Sequence, residues 1–133
     1  MVPTGSNVLD DLLGGYSPSI SSVYGQAGTG KTTLALLVTL AHLREKKKVL
    51  FLDTEDSFSV TRFDQLSQGQ SASLLDYVFL LRPKNFNEQH SAIKQLPSYL
   101  STGKFSLVVI DTLTVHYRRF VRKEPDVARA MLK

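Results

Sequence analysis

The sequence predicts an α/β fold, a mostly parallel sheet with flanking helices, and three observations carry that prediction. Gly25 to Thr33 read Gly-Gln-Ala-Gly-Thr-Gly-Lys-Thr-Thr, a full match to G-x-x-x-x-G-K-[ST], set between an apolar-leaning stretch and a periodic helix. Two apolar runs, Val49-Leu50-Phe51-Leu52 and Leu107-Val108-Val109-Ile110, each end in an aspartate. Such runs suit strands buried on both faces of a parallel sheet. Helical segments lie between them, and strands alternating with helices imply right-handed crossovers.

The elements follow in order. Ser6 is placed as the N-cap of a short helix over Asn7 to Leu13, carrying Val8, Leu9, Leu12 and Leu13 and stopped by Gly14-Gly15. Pro18 blocks helix, and Ile20 to Tyr24 is assigned as the first strand. Its serines make it a weak strand former, so the assignment leans on the glycine loop that follows. Lys31 to about Arg44 is the best helix, with Leu34, Leu37, Val38 and Ala41 as one apolar face backed by Leu40. Lys46-Lys47-Lys48 either complement its carbonyl end or solvate the turn. Val49 to Leu52 is the second strand, and residues 54 to 60 form a loop. A short helix covers Arg62 to Ser67, followed by a mobile Gln/Ser/Gly stretch. Asp76 to Leu81 is a third strand, stopped by Pro83. Asn85 or Asn87 caps a helix carrying Phe86, Ile93, Leu96 and Leu100, which Pro97 kinks or ends early. Phe105 to Ile110 is the fourth strand.

A length of 133 residues suits one domain, small for a doubly wound α/β fold. No apolar run approaches membrane-spanning length and no signal pattern opens the chain, so a cytoplasmic protein without a membrane partner is expected. The absence of cysteine excludes disulfides, thiolate catalysis and cysteine-bound zinc or iron–sulfur clusters. His42, His90 and His116 form no ligand-like pair and are assigned to structure or surface. The net charge of +4 is uneven: residues 1 to 117 hold 10 basic and 10 acidic groups. The excess therefore sits at the end, where Arg118, Arg119, Arg122, Lys123, Arg129 and Lys133 face only Glu124 and Asp126. That asymmetry fits a polyanionic partner such as nucleic acid, or a solvated helix face.

In an open parallel sheet, ligands sit beyond the carboxyl ends of the strands. A triphosphate needs many N–H donors at short range, and the segment Gly25, Gln26, Ala27, Gly28, Thr29, Gly30, Lys31, Thr32 and Thr33 supplies them at a helix start. Lys31 adds a mobile positive charge for the outer phosphates, and Thr32 offers a hydroxyl to magnesium. Asp111 ends a Walker B pattern and is expected to hold the same ion through water. The expected ligands are therefore ATP and Mg2+. Glu55 is the candidate to orient or deprotonate the attacking water, with Asp56 as competitor and a turn-capping acid as the plain alternative. Arg62 either stacks on the adenine or pairs with Asp64 or Asp56.

With those residues in place, the chain resembles the RecA/RadA recombinase superfamily, and most its archaeal RadB branch. Thr4-Gly5-Ser6 with Leu9-Asp10-Asp11-Leu12-Leu13-Gly14-Gly15 is similar to the family's opening segment. Asp53-Thr54-Glu55 and Phe58 resemble its Asp-Thr-Glu-Gly-x-Phe, whose glutamate is catalytic, and Arg62 falls at its adenine-stacking arginine. Phe86-Asn87-Glu88-Gln89 is RadB-like, and Asp111-Thr112-Leu113-Thr114 with Tyr117-Arg118 is similar to the segment after Walker B.

The resemblance implies a P-loop NTPase with a RecA-like core, spanning residues 1 to 133 as a partial ATPase domain whose C-terminal strands are missing. By the same resemblance, the family's N-terminal helical domain, sensor glutamine and second DNA-binding loop are expected to have no counterpart in these residues. Its first DNA-binding loop falls near Arg122 to Arg129, making Arg118, Arg119, Arg122, Lys123 and Arg129 the expected DNA contacts. Asp56 replaces the family's glycine, so a second negative charge is expected near the γ-phosphate, weakening ATP binding or slowing hydrolysis. The missing strands are expected to leave one edge of the phosphate-loop strand unpaired, inviting self-association. The function implied is an ATP-dependent, DNA-binding accessory factor of homologous recombination and repair, with other repair proteins as partners. A nucleotide-binding module without turnover, or a RecA-fold signalling ATPase of the circadian-clock type, are the alternatives.

Overall fold

The computed structural model describes residues 1–131. Three parallel strands, β1 (Lys48–Asp53), β2 (Val78–Leu81) and β3 (Phe105–Asp111), form a sheet in the order β2-β1-β3. The helices are α1 (Asn7–Leu13), α2 (Lys31–Arg44), α3 (Val60–Ser67), α4 (Ser71–Leu74), α5 (Phe86–Ser101), α6 (Val115–Lys123) and α7 (Pro125–Met131). The central strand is buried from Val49 to Asp53, as a continuous apolar run in a parallel sheet requires.

On one face of the sheet, Val49, Phe51 and Val109 pack with Leu36, Val38, Leu40 and Leu43 of α2 and with Phe58, Phe63 and Leu74. Phe58 sits between Phe51 and Phe63, with ring centroids 5.1 and 5.6 Å away. Each large side chain fully buried there contributes about 1.5–3 kcal/mol. The face of α2 differs from expectation. Leu36, Leu40 and Leu43 are buried most deeply, while Leu34, Leu37 and Ala41 are only half-buried. Leu37 meets the N-terminal segment instead: a Cβ at Gly5 (φ 84°) would lie 2.2 Å from the Leu37 carbonyl oxygen. Only glycine allows that approach.

The N-terminal motif acts as a brace. Asp10 Oδ1 accepts the Thr4 N–H at 2.8 Å, and Val2 pairs with Tyr16 through an isolated antiparallel bridge. Ser6 occupies the N-cap position of α1 without a side-chain capping bond; Thr4 Oγ1 accepts its N–H at 3.1 Å.

Several expectations are corrected. Ile20 to Tyr24 is not a strand. Ser17 through Gly30 is exposed, Ile20 to 99%, and among the described residues Ile20 to Tyr24 makes no ladder bond. Serines interleaved with three apolar side chains bury too little surface to hold a ladder. Both neighbours of β1, β2 and β3, are therefore edge strands, and among the described residues the sheet has three strands rather than four. The third predicted strand narrows to Val78–Leu81, preceded by a 3-10 turn at Leu75–Tyr77. Part of the Gln/Ser/Gly stretch is the short helix α4. Helix α3 starts at Val60, where Ser59 Oγ accepts the Arg62 N–H at 3.2 Å. Asn85 is the cap of α5, accepting the Glu88 N–H at 2.9 Å, and the helix runs through Pro97 to Ser101. Arg122 to Arg129 lies in helices α6 and α7 joined at Glu124, not in an open loop.

Candidate functional site

Three segments meet at the carboxyl end of the sheet: the loop before α2, the turn after β1 and the end of β3. Gly28 (φ 77°) and Gly30 (φ 95°) adopt left-handed backbone, and a Cβ at either would project into space free of protein within 4 Å. Side chains there would fill that space. Lys31 Nζ donates to the Gly25 carbonyl at 2.9 Å and the Gln26 carbonyl at 2.6 Å, folding the loop back on its own helix. Thr29 Oγ1 closes it further with a 2.7 Å bond to the Gln26 carbonyl. The loop thus curls round its lysine at the head of a fourteen-residue helix, where the dipole favours anions.

The decisive contact lies next to it. Thr32 Oγ1 donates to Asp111 Oδ2 at 2.9 Å, joining residues 79 apart in sequence. Asp111 is buried at the end of β3, and Ser57 Oγ reaches the same Oδ2 at 3.2 Å. Among the described residues no cluster of three or more His, Cys, Asp or Glu forms a metal site. A hydroxyl and a carboxylate beside a glycine loop at a helix start are nonetheless a donor set suited to magnesium, which binds through one or two carboxylates and substrate phosphates. The residues present fit that ion.

The turn after β1 is gripped from every side. Asp53 is 1% exposed; its Oδ1 accepts the Ser57 N–H at 2.9 Å and the hydroxyl at 3.1 Å, and its Oδ2 accepts the Phe58 N–H at 3.0 Å. Thr54 bridges to β3: its N–H donates to the Asp111 carbonyl at 3.0 Å, and its hydroxyl donates to the Thr112 carbonyl and accepts the Thr112 N–H. Arg82, just past β2, reaches Asp53 Oδ2 at 3.5 Å, Asp56 Oδ1 at 3.3 Å and the Phe58 carbonyl at 3.2 Å. Asp56 has φ 55°, the left-handed conformation that explains why a glycine suits this position. Its carboxylate pairs with Arg82, so a guanidinium accompanies the second negative charge of this turn.

Glu55 stands between the pinned Thr54 and Asp56, exposed, with no hydrogen bond or ion pair among the described residues. Arg62 is exposed on α3 and contacts Gln65 Oε1 at 3.4 Å rather than Asp64 or Asp56. Arg118, Arg119, Arg122 and Lys123 lie exposed on α6, whose Tyr117 and Phe120 pack on Phe86 of α5 with centroids 5.7 and 4.8 Å away. Arg129 approaches Asp126 at 4.0 Å, and Lys133 lies outside the described residues. The α6 segment is anchored beneath by Gln89 Nε2, which donates to the Leu113 carbonyl at 2.8 Å, and by His116 Nε2 against the Pro83 carbonyl at 2.8 Å. His42 and His116 are buried against backbone carbonyls and His90 is exposed, all three outside the site. At the far end of the sheet, the hydrogen bond from Lys47 holds the Glu45 carboxyl below its ordinary value.

Comparison with known proteins places this arrangement. The family model described as Rad51 matches residues 1–129. The chain belongs to the Rad51 family. Among curated relatives, DNA repair and recombination protein RadB of Methanoculleus marisnigri is 38% identical over 136 residues, covering 99% of this chain and 58% of that protein. RadB of Pyrococcus abyssi is 41% identical over 120 residues, covering 86% of this chain and 51% of the relative. A solved structure, the crystal structure of the RadB recombinase, superposes with TM-score 0.77 at 35% identity over 98% of this chain and 60% of that chain. The chain spans between half and three-fifths of the length of these relatives. Its three-stranded sheet and flanking helices are thus a Rad51-family RecA-like core, and the RadB-like resemblance of the sequence holds.

Two residues of this candidate site escaped the sequence reading, Ser57 and Arg82. Ser57 sits in a spacer position, and Arg82 follows a strand that carries no motif. The one signal available was Asp53, a carboxylate ending a wholly buried strand, which demands a partner.

Proposed function

We propose that this chain is the nucleotide-binding part of an ATP- and magnesium-dependent, DNA-binding accessory protein of homologous recombination and DNA repair. It acts in the cytoplasm and hydrolyses ATP slowly. The observation that carries this reading is the 2.9 Å contact between Thr32 and Asp111 at the mouth of the glycine loop. The relatives named for DNA repair and recombination support the process.

In this reading, the amides of Gly25 to Thr33 bind the phosphates and Lys31 exchanges its two loop carbonyls for phosphate oxygens. Thr32 and Asp111 hold magnesium, which neutralises charge on the outer phosphates. Glu55 orients water for in-line attack on the γ-phosphate, and Arg62 lies on the adenine. Slow turnover is favoured by Glu55 itself, which is exposed and without a partner to fix its carboxylate. The exposed face of Arg118, Arg119, Arg122 and Lys123, with Arg129, takes DNA phosphates.

The test is a thermal melt with ATP and magnesium. At ATP one hundredfold above its Kd, the intact chain gains about 2.7 kcal/mol, and Lys31→Ala abolishes the gain. An unchanged shift in that variant defeats the assignment. DNA binding should weaken steeply with salt, and replacing Arg118, Arg119 and Arg122 together should lower the slope by roughly 2–3 units. A salt slope that these replacements leave unaltered removes α6 from the DNA surface.

A further inference from the structure

Five polar side chains make one unbroken line of contacts across the carboxyl ends of all three strands and into the helix behind the glycine loop. Arg82 Nε lies 3.5 Å from Asp53 Oδ2, Ser57 Oγ 3.1 Å from Asp53 Oδ1 and 3.2 Å from Asp111 Oδ2, and Thr32 Oγ1 2.9 Å from Asp111 Oδ2. Ser57 is the middle link. It belongs to the turn that carries Glu55, yet it touches the carboxylate of another strand.

A hydroxyl carries one proton, and an ionised carboxylate only accepts. Both neighbours of Ser57 Oγ are carboxylate oxygens, so its proton serves one of them at a time. Asp53 Oδ1 at 3.1 Å and Asp111 Oδ2 at 3.2 Å lie at nearly equal range, so the hydroxyl is shared between the two carboxylates and links the Asp53 turn to the end of β3. Thr32 donates to the same Oδ2. Two donors from separate elements converge on one oxygen and fix the rotation of the Asp111 carboxyl group. Hydrogen bonds to a charged acceptor are roughly twice as strong as neutral ones, so this is an effective clamp.

We propose that Ser57 is a positioning residue: its hydroxyl orients Asp111 toward a divalent cation and ties that orientation to the Glu55 turn. The inference rests on the nucleotide and magnesium reading above. Partners that orient a metal-binding side chain from outside typically cost 10–100-fold in metal affinity when removed.

The experiment is calorimetric titration of the whole chain with ATP, once with magnesium and once with EDTA, for wild type, Ser57→Ala and Ser57→Thr. In EDTA the three should bind alike within about twofold, because Ser57 touches no part of the phosphate loop. With magnesium, Ser57→Ala should lose about tenfold of the affinity gained by wild type, and Ser57→Thr should keep it. The magnesium concentration giving half of the ATP-induced melting shift should rise by about the same factor. Full retention of the magnesium-dependent gain in Ser57→Ala overturns the proposal. So does an equal loss in both buffers, which makes Ser57 a support of the turn alone. Should Ser57→Ala fail to fold, Ser57→Cys, with its weaker donor, carries the same comparison. A wild type that binds ATP equally in both buffers sinks this inference and spares nucleotide binding, whereas one that binds in neither sinks both.

Discussion

The two halves of the candidate site are built on opposite plans. The turn from Asp53 to Phe58 is locked by a buried carboxylate, an arginine, a threonine bridge and three backbone N–H groups with named partners. The loop from Gly25 to Gly30 is exposed throughout, and among the described residues it is held by the side chains of Thr29 and of Lys31 at the start of α2. One half is pre-organised by the fold, and in the proposed reading the other keeps its donors for phosphates. Pre-organised groups cost nothing at the moment of reaction, while a loop that must envelop phosphates needs freedom before they arrive.

The contrast breaks most sharply at Asp53. Asp53→Ala strips the acceptor from two backbone N–H groups in a buried position and leaves Arg82 with only Asp56 and a carbonyl. Losing charge-assisted bonds and leaving amides unpaired there should cost about 3 kcal/mol. That corresponds to a fall in Tm of roughly 10 °C for a domain of this size, read by circular dichroism. A fall of only a degree or two would mean that the turn is no better anchored than the glycine loop.

Why the sequence revealed one half and hid the other follows from the same difference. The phosphate loop was legible because its chemistry resides in residue type: glycines at Gly28 and Gly30, then a lysine and a threonine, carry their function wherever the chain goes. Buried strands were legible for a similar reason, since Val49 to Leu52 needs two covered faces. The locking network was not legible, because Arg82 and Ser57 gain their roles only when β2 and β3 flank β1. Ile20 to Tyr24 failed in the other direction: local composition and a neighbouring motif suggested a strand, but among the described residues no ladder partner meets it. The face of α2 was misjudged because leucines surround the helix, and the brace at Gly5 decides which of them face the N-terminal segment.

Arg82→Gln sharpens the comparison at smaller scale. The arginine side chain is 48% exposed, so its pairs with Asp53 and Asp56 are screened and worth less than their geometry suggests. The expected loss is about 1 kcal/mol in urea unfolding. ATP turnover should fall more than ATP affinity, since the arginine touches the Glu55 turn and none of the phosphate loop. Equal falls in both would place Arg82 among the phosphate ligands. Lys31→Ala, by contrast, should change the stability of the free chain by less than about 0.5 kcal/mol, because its two carbonyl partners are exposed and water replaces it.

The smallest effect is expected at Asp56, and it discriminates best. Asp56→Gly relieves a left-handed backbone that costs an ordinary residue about 1 kcal/mol. It also removes an exposed pair worth about 0–1 kcal/mol and frees the unfolded chain by a similar amount. These terms offset, so the urea midpoint should barely move. ATP affinity should also stay within about twofold, because Arg82 already accompanies the carboxylate. In an Arg82→Gln background the same change should raise ATP affinity, since the released carboxylate then repels the phosphates. A double-mutant cycle reads that difference directly. If Asp56→Gly alone tightens ATP binding about tenfold, a gain of about 1.4 kcal/mol, the carboxylate faces the triphosphate. The locked half of the site would then be set against its guest.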